Sequence, residues 1–350
     1  MTKTQPGNFF EDFAVGQEIV HATPRTVTDG DVAVYTALYG GRFAVHSSTP
    51  FAQSIGYDRA PLDSMLVFHV VFGKSVPDVS LNAIANLGYA NGRFGVPVYA
   101  GDTLSTVSHV IGVKQNRDGK TGVVYVHSVG SNQHGEMVLD FVRWVMVRKR
   151  DTGNPAPEVV VPDLPESVGP AALVVPDRLD ARSYDTQLGG SPYLWNDYAI
   201  GERIDHVDGI TIEEADHMSA ARLFQNTARV HFNQHVEREG RFGRRIVYGG
   251  HIISISRALS FNGLANTLGI VAIHGGRHTN PTFAGDTIYA WSEILAADAL
   301  PGPAQLGVLR VRTVALKDRP AADFTYRDAG GAYDPAVVLD FDYSVLIPRR

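Results

Sequence analysis

FEDFAVGQEIVHAT, residues 10–23, returns 185 positions later as WNDYAIGERIDHVD, residues 195–208, with aromatic, acidic and glycine positions in register. The same offset carries Asp31 onto Asp216 and His46 onto His231. Further along, GRFGVPVYAGDTL from Gly92 matches GRHTNPTFAGDTI from Gly276 at an offset of 184, and VLDF closes each half, from Val138 and again from Val338. Four anchors in one order identify a duplicated domain. We place the copies at residues 1–150 and 193–350. Between them, residues 151–192 are rich in proline and small polar residues, as in NPAPEVVVPDLP from Asn154. That composition resists regular helix and suits a linker lying on the surface of a copy.

The copies repeat in predicted structure as well. Each opens with a strand-like piece (Glu18 to Thr28; Glu202 to Thr211), passes through a helical or loop region holding its histidine, and enters an apolar helix. β-rich runs follow: Asp102 to Gln115, Gly122 to Gly130 and Met137 to Lys149 in the first copy, Asp286 to Leu295, Gln305 to Leu316 and Ala336 to Ile347 in the second. Stretches such as TVSHVIGV and VVYVHSVG alternate, as antiparallel strands with one packed face do. An α+β unit with a helix laid against a curved antiparallel sheet buries both apolar faces.

Composition narrows the function. With 350 residues, 44% hydrophobic and 19% charged, the chain can build a large core without staples. A net charge of -6 argues against a general nucleic-acid partner. The absence of cysteine excludes disulfides, thiolate metal sites and a cysteine nucleophile. Neither a signal peptide nor a membrane span is indicated, so the cytoplasm is the expected compartment.

Candidate chemistry gathers in the second copy. His231 sits in a short polar loop, and Gly249 and Gly250 open an apolar helix about twenty residues later. An imidazole can move a proton near neutral pH, and free amides at a helix start can hold developing negative charge, a pairing suited to carbonyl chemistry. At the equivalent helix start the first copy reads DSML, residues 63–66, where the second has YGGH, residues 248–251. An aspartate there would repel an enolate oxygen, so the second copy is the catalytic candidate, and His46 is read as a relic of the duplication.

With these features the chain resembles the MaoC-like dehydratases of the hotdog fold in their two-domain form, and among them the mesaconyl-CoA hydratases (β-methylmalyl-CoA dehydratases). The resemblance rests on Gly101 to Thr103 and Gly285 to Thr287, preceded by Pro97 and Pro281, and on the loop histidines. It implies a double hotdog, each half a curved sheet around a central helix, and reversible hydration of a branched, carboxylate-bearing enoyl-CoA. It implies no cofactor beyond the coenzyme A of the substrate, no metal, and no nucleic-acid or membrane partner; a homo-oligomer is left open. The family's loop, G-D-x-N-P-x-H, is altered to GGRFAVH (residues 40–46) and QNTARVH (residues 225–231), so Gly41 and Asn226 stand at the aspartate position.

Asparagine can orient a water but cannot take its proton. His231 is therefore the expected base, with Asn226 positioning the water, the thioester oxygen on the Gly250 amide, and Gly249 and His251 beside the substrate. Asp216 or Glu214 could orient the imidazole. Arg229 is the nearest guanidinium in sequence for the acyl carboxylate, and the basic run REGRFGRR (residues 238–245) either meets coenzyme A phosphates or is a solvated loop. HFNQH, residues 231–235, lacks a third metal ligand, and His278, which replaces Phe94, is a position to test. Alternatives are an (R)-specific hydratase of another enoyl-CoA, an acyl-CoA thioesterase, or a non-catalytic acyl-CoA binding module.

Overall fold

The computed structural model describes residues 3–350. Ten strands form one antiparallel sheet: β1 (Glu18–Thr26), β2 (Ala83–Phe94), β3 (Thr103–Gln115), β4 (Thr121–Ser131), β5 (Met137–Arg148), β6 (Arg203–Thr211), β7 (Gly269–His278), β8 (Thr287–Ala299), β9 (Leu306–Lys317) and β10 (Val337–Pro348). Their order is β1-β3-β4-β5-β2-β7-β10-β9-β8-β6, so each half contributes five strands in mirrored sequence and the halves meet where β2 pairs with β7. Against this sheet lie two central helices, Ser64–Ser75 and Gly249–Leu259, one per half. This is the α+β architecture expected from the repeat.

The central seam was not expected from sequence. β2 and β7 contain Gly88, Gly92, Gly275 and Gly276, and such residues read as turns. In the sheet they permit close packing instead: a Cβ on Gly92 would stand 2.8 Å from the Ile273 Cβ, and one on Gly276 would stand 2.8 Å from the Tyr89 ring.

The matched Gly-Asp-Thr elements are structural. Gly101 and Gly285 take positive φ (+101° and +97°), which glycine adopts without strain. The Asp102 carboxylate accepts the Tyr99 amide (2.7 Å) and that of Asp286 the Phe283 amide (3.0 Å). Each turn then holds the segment leading out of the outermost strand of its half, through Gly101 N–H to Val27 O and Gly285 N–H to Ile212 O.

Polar bonds join the helices across the halves. His69 Nε2 lies 2.8 Å and the Tyr35 hydroxyl 3.0 Å from the Ser254 hydroxyl, all buried. Residues 151–192 run over the outer face of the sheet with little regular structure. Val160 bridges Val113, the Val168 amide donates to His274 Nδ1 (2.9 Å), and Leu179 and Ala181 are buried.

Candidate active site

A cavity of about 360 Å3 lies between the halves. Its second-half wall comes from the loop between the helices Glu214–Leu223 and Gly249–Leu259 and from the end of β7; its first-half wall comes from β2, β5 and the C-terminal end of the first central helix. The loop leaves its helix at Gln225, whose positive φ (54°) turns the chain, and the Phe224 carbonyl packs so closely on Gly73 that no side chain fits there. Asn226 follows, buried, its Oδ1 accepting the Ala228 amide (3.3 Å) and its Nδ2 without a partner among the described residues.

His231 borders the cavity. Its Nδ1 is 3.0 Å from the Ile246 carbonyl oxygen, which can only accept, so the neutral ring carries its proton on Nδ1 and keeps a lone pair on Nε2. Burial pushes its pKa down to about 4. Neither Asp216 nor Glu214 orients the ring: the backbone does so, while Glu214 pairs with Arg245.

His46 is the geometric twin, with Nδ1 3.0 Å from the Pro61 carbonyl, and it borders a cavity of only about 70 Å3. The two helix starts differ as well. Asp63 caps the first helix by accepting the Met65 amide (2.8 Å), whereas no side chain caps the second at Tyr248. The aspartate thus occupies one amide at a helix start where the second half has no side-chain cap.

Of the two glycines at that opening, Gly249 borders the cavity and Gly250 does not. A Cβ on Gly249 would stand 2.5 Å from His278 Cε1; one on Gly250 would meet the Tyr248 ring (2.4 Å) and His69 (2.6 Å). Gly250 is thus fixed by packing, and Gly249 is the glycine of the pair that faces the cavity. His251 also departs from expectation: it is buried with Nδ1 2.8 Å from the Tyr39 hydroxyl, away from the cavity. Arg229 departs further, bonding Asn82 Oδ1 and the Pro6 carbonyl (3.2 Å) rather than bordering the cavity. Its position is two residues from His231 on a one-turn helix, Arg229–Phe232, and residues two apart on a helix do not face the same side.

Four residues complete the wall. His278 Nε2 is 3.2 Å from the Tyr89 hydroxyl, and burial followed by the His231 ring lowers its pKa to about 4. Asn86 has both side-chain amide atoms buried without a partner. Arg143 is fully buried: its guanidinium reaches Ser75 Oγ at 2.7 Å and Ser80 Oγ at 3.4 Å and lies 4.2 Å over the Phe72 ring, while Nε–H finds no acceptor. Burial lowers its pKa to about 10, which keeps it cationic at neutral pH. Of these, only His278 stood out in the sequence. Arg143 could have been found as the charged member of the inward row Leu139, Phe141, Arg143, Val145, Val147. At the mouth, Arg148 and Arg241 are exposed.

The arrangement offers an imidazole with a free lone pair, helix amides behind a glycine, and a cation at the inner wall. That set can activate water, hold charge on a carbonyl oxygen and receive an anion.

Comparison with known proteins agrees with this chemistry. The family model described as mesaconyl-CoA hydratase matches residues 1–327. The chain is 74% identical to the β-methylmalyl-CoA dehydratase of Chloroflexus aurantiacus over 99% of both chains, and 54% identical to the mesaconyl-CoA hydratase of Cereibacter sphaeroides over 99% of this chain and all of that one. Among solved structures, a MaoC domain protein from Chloroflexus aurantiacus superposes with a TM-score of 0.97 at 73% identity over the whole of both chains. A double-hotdog protein from Mycobacterium tuberculosis gives 0.78 at 25% identity, covering 98% of this chain and 99% of that one.

Proposed function

The chain belongs to the mesaconyl-CoA hydratase family, and from that premise we propose that it adds water reversibly to mesaconyl-CoA, giving β-methylmalyl-CoA, in the cavity beside His231. It is a hydro-lyase. The observation that carries the assignment to this cavity is the His231 ring, held by the Ile246 carbonyl with Nε2 unprotonated on the cavity wall.

In the hydration direction Nε2 takes a proton from water that Asn226 helps to orient, and the hydroxyl oxygen bonds to the β-carbon. The electron pair of the double bond moves toward the thioester, whose oxygen gains charge at the start of the helix Gly249–Leu259. The proton then passes from the imidazolium to the α-carbon, so the product gains one OH and one H. Dehydration runs the same steps backward. Arg148 and Arg241 at the mouth suit the phosphates of coenzyme A. No redox group is called for, since no electrons leave the substrate.

Glu237 on the cavity wall favours one competing reading, thioester hydrolysis. Incubation with mesaconyl-CoA separates the two: hydration removes enoyl-thioester absorbance without releasing thiol, and hydrolysis releases thiol. Thiol release at the rate of absorbance loss would overturn the hydratase reading.

A further inference from the structure

We propose that Arg143, with Asn86 beside it, is the receptor for the substrate carboxylate and so sets the preference for a dicarboxylic acyl group. This deepens the hydratase reading and rests on it.

A buried guanidinium is normally paired with a carboxylate, because removing its charge from water is costly. Arg143 has no such partner among the described residues. Its bonds go to two neutral serine hydroxyls, its face rests on Phe72, and one of its N–H groups is unsatisfied. The nearby tyrosines do not compensate, since burial holds both Tyr89 and Tyr248 in the protonated form. Arg143 therefore carries a positive charge that no carboxylate within ion-pair distance balances, Glu237 on the same cavity wall included, and the group that would balance it is an anion brought in by the ligand. Asn86 pairs in register with Val145 and Tyr89 with Arg143, so both project from β2 toward the same face as Arg143. The idle amide of Asn86 supplies a further donor.

The duplication provides an internal control. In the second half Ile270 pairs with Val345 and Ile273 with Tyr343, as Asn86 pairs with Val145 and Tyr89 with Arg143 in the first. The second half thus has Ile270, Ile273 and Tyr343 at the positions where the first has Asn86, Tyr89 and Arg143, and of these only Ile270 borders the small cavity near His46. The other fully buried arginine with neutral partners, Arg257, bonds Ser260 and Thr267, borders neither of these two cavities and has no orphaned N–H. Arg93, Arg245 and Arg312 also have an orphaned Nε–H, but each is paired with a carboxylate (Asp140, Glu214 and Asp340), so among these four Arg143 alone lacks an anionic partner.

The mesaconyl carboxylate is attached to the β-carbon that water attacks. Its charge opposes addition of a nucleophile there. A guanidinium against it both selects the substrate and withdraws that charge from the reacting carbon.

The test measures kcat/KM for mesaconyl-CoA and the inhibition constant of tigloyl-CoA, which keeps the branched enoyl group and has a methyl in place of the carboxylate. Breaking a buried charge pair is worth roughly 30-fold to several thousand-fold, so Arg143→Met is expected to lower kcat/KM for mesaconyl-CoA by about 100-fold or more while tigloyl-CoA inhibits within about threefold of wild type. Asn86→Leu is expected to lower the same constant by about tenfold, again with tigloyl-CoA unchanged. It decides the question if Arg143→Met does not fold. Equal losses for both ligands in a folded variant, or no loss in either variant, would overturn the proposal while leaving the hydratase reading intact. A wild-type protein that fails to hydrate mesaconyl-CoA overturns the reading and the proposal together.

Discussion

The His278 ring lies against the main chain of Gly249, so close that a methyl group on that glycine would stand 2.5 Å from its Cε1 atom. The glycine therefore makes room for an imidazole at the helix opening. Gly249→Ala is expected to push His278 away from Tyr89 and the cavity and to lower kcat/KM by at least about tenfold, as displaced catalytic geometry does. Gly250→Ala, which would strike Tyr248 and His69 in the core, is expected to depress Tm more. Thermal melts and steady-state rates on the two variants check the contrast; equal activity losses at equal Tm would remove His278 from the site.

His231→Ala should abolish most hydration, a loss on the order of 100-fold or more for a general base, whereas His46→Ala should retain most of it. The twin rings have the same backbone partner geometry, so the difference lies in the cavity and helix cap each one faces. Equal losses would mean that both halves turn over substrate.

Arg229→Met is expected to leave the ratio of mesaconyl-CoA to crotonyl-CoA turnover unchanged. Its guanidinium ties Asn82 and Pro6 near the start of the chain, so the effect should appear as a lowered Tm, or as faster proteolysis of the N-terminal segment. A selective loss with mesaconyl-CoA would return Arg229 to the substrate.

Acid should both inhibit and destabilise. His206, His231, His274 and His278 have pKa values pushed down to about 4, in each case mainly by burial, while in the unfolded chain they titrate near 6.5. Between these values the unfolded state binds protons that the native state refuses, so stability is full above about pH 6.5 and falls as pH drops toward 4. Tm should therefore decline from pH 7 to pH 5. The base His231 stays neutral over that range, so kcat/KM for hydration measured on folded enzyme should hold until pH approaches 4. An activity limb centred at 6.5 would contradict the burial of the ring.

The architecture was legible because duplication writes the same residues twice, and the outer strands alternate in hydrophobicity. Strands β2 and β7 escaped because glycines needed for close packing look like punctuation in a linear reading. At the site, His231 and Gly249 were readable as a loop histidine and a glycine opening an apolar helix, and Asn226 only from its place in the loop of the family that the chain resembles. Arg229 misled because nearness in sequence is not nearness in space on a helical turn. Arg143 is far from His231 in sequence and joins its cavity only when the first half's sheet faces the second half's loop, a relationship that no local pattern contains.

Pairing of β2 with β7 within one polypeptide has an evolutionary corollary. Two identical subunits meeting at this seam would have to install every change in both pockets at once. Fusion breaks that constraint: a guanidinium could enter one half while the other took isoleucine and tyrosine at the matching positions, freeing the smaller chamber to serve as a brace for the larger.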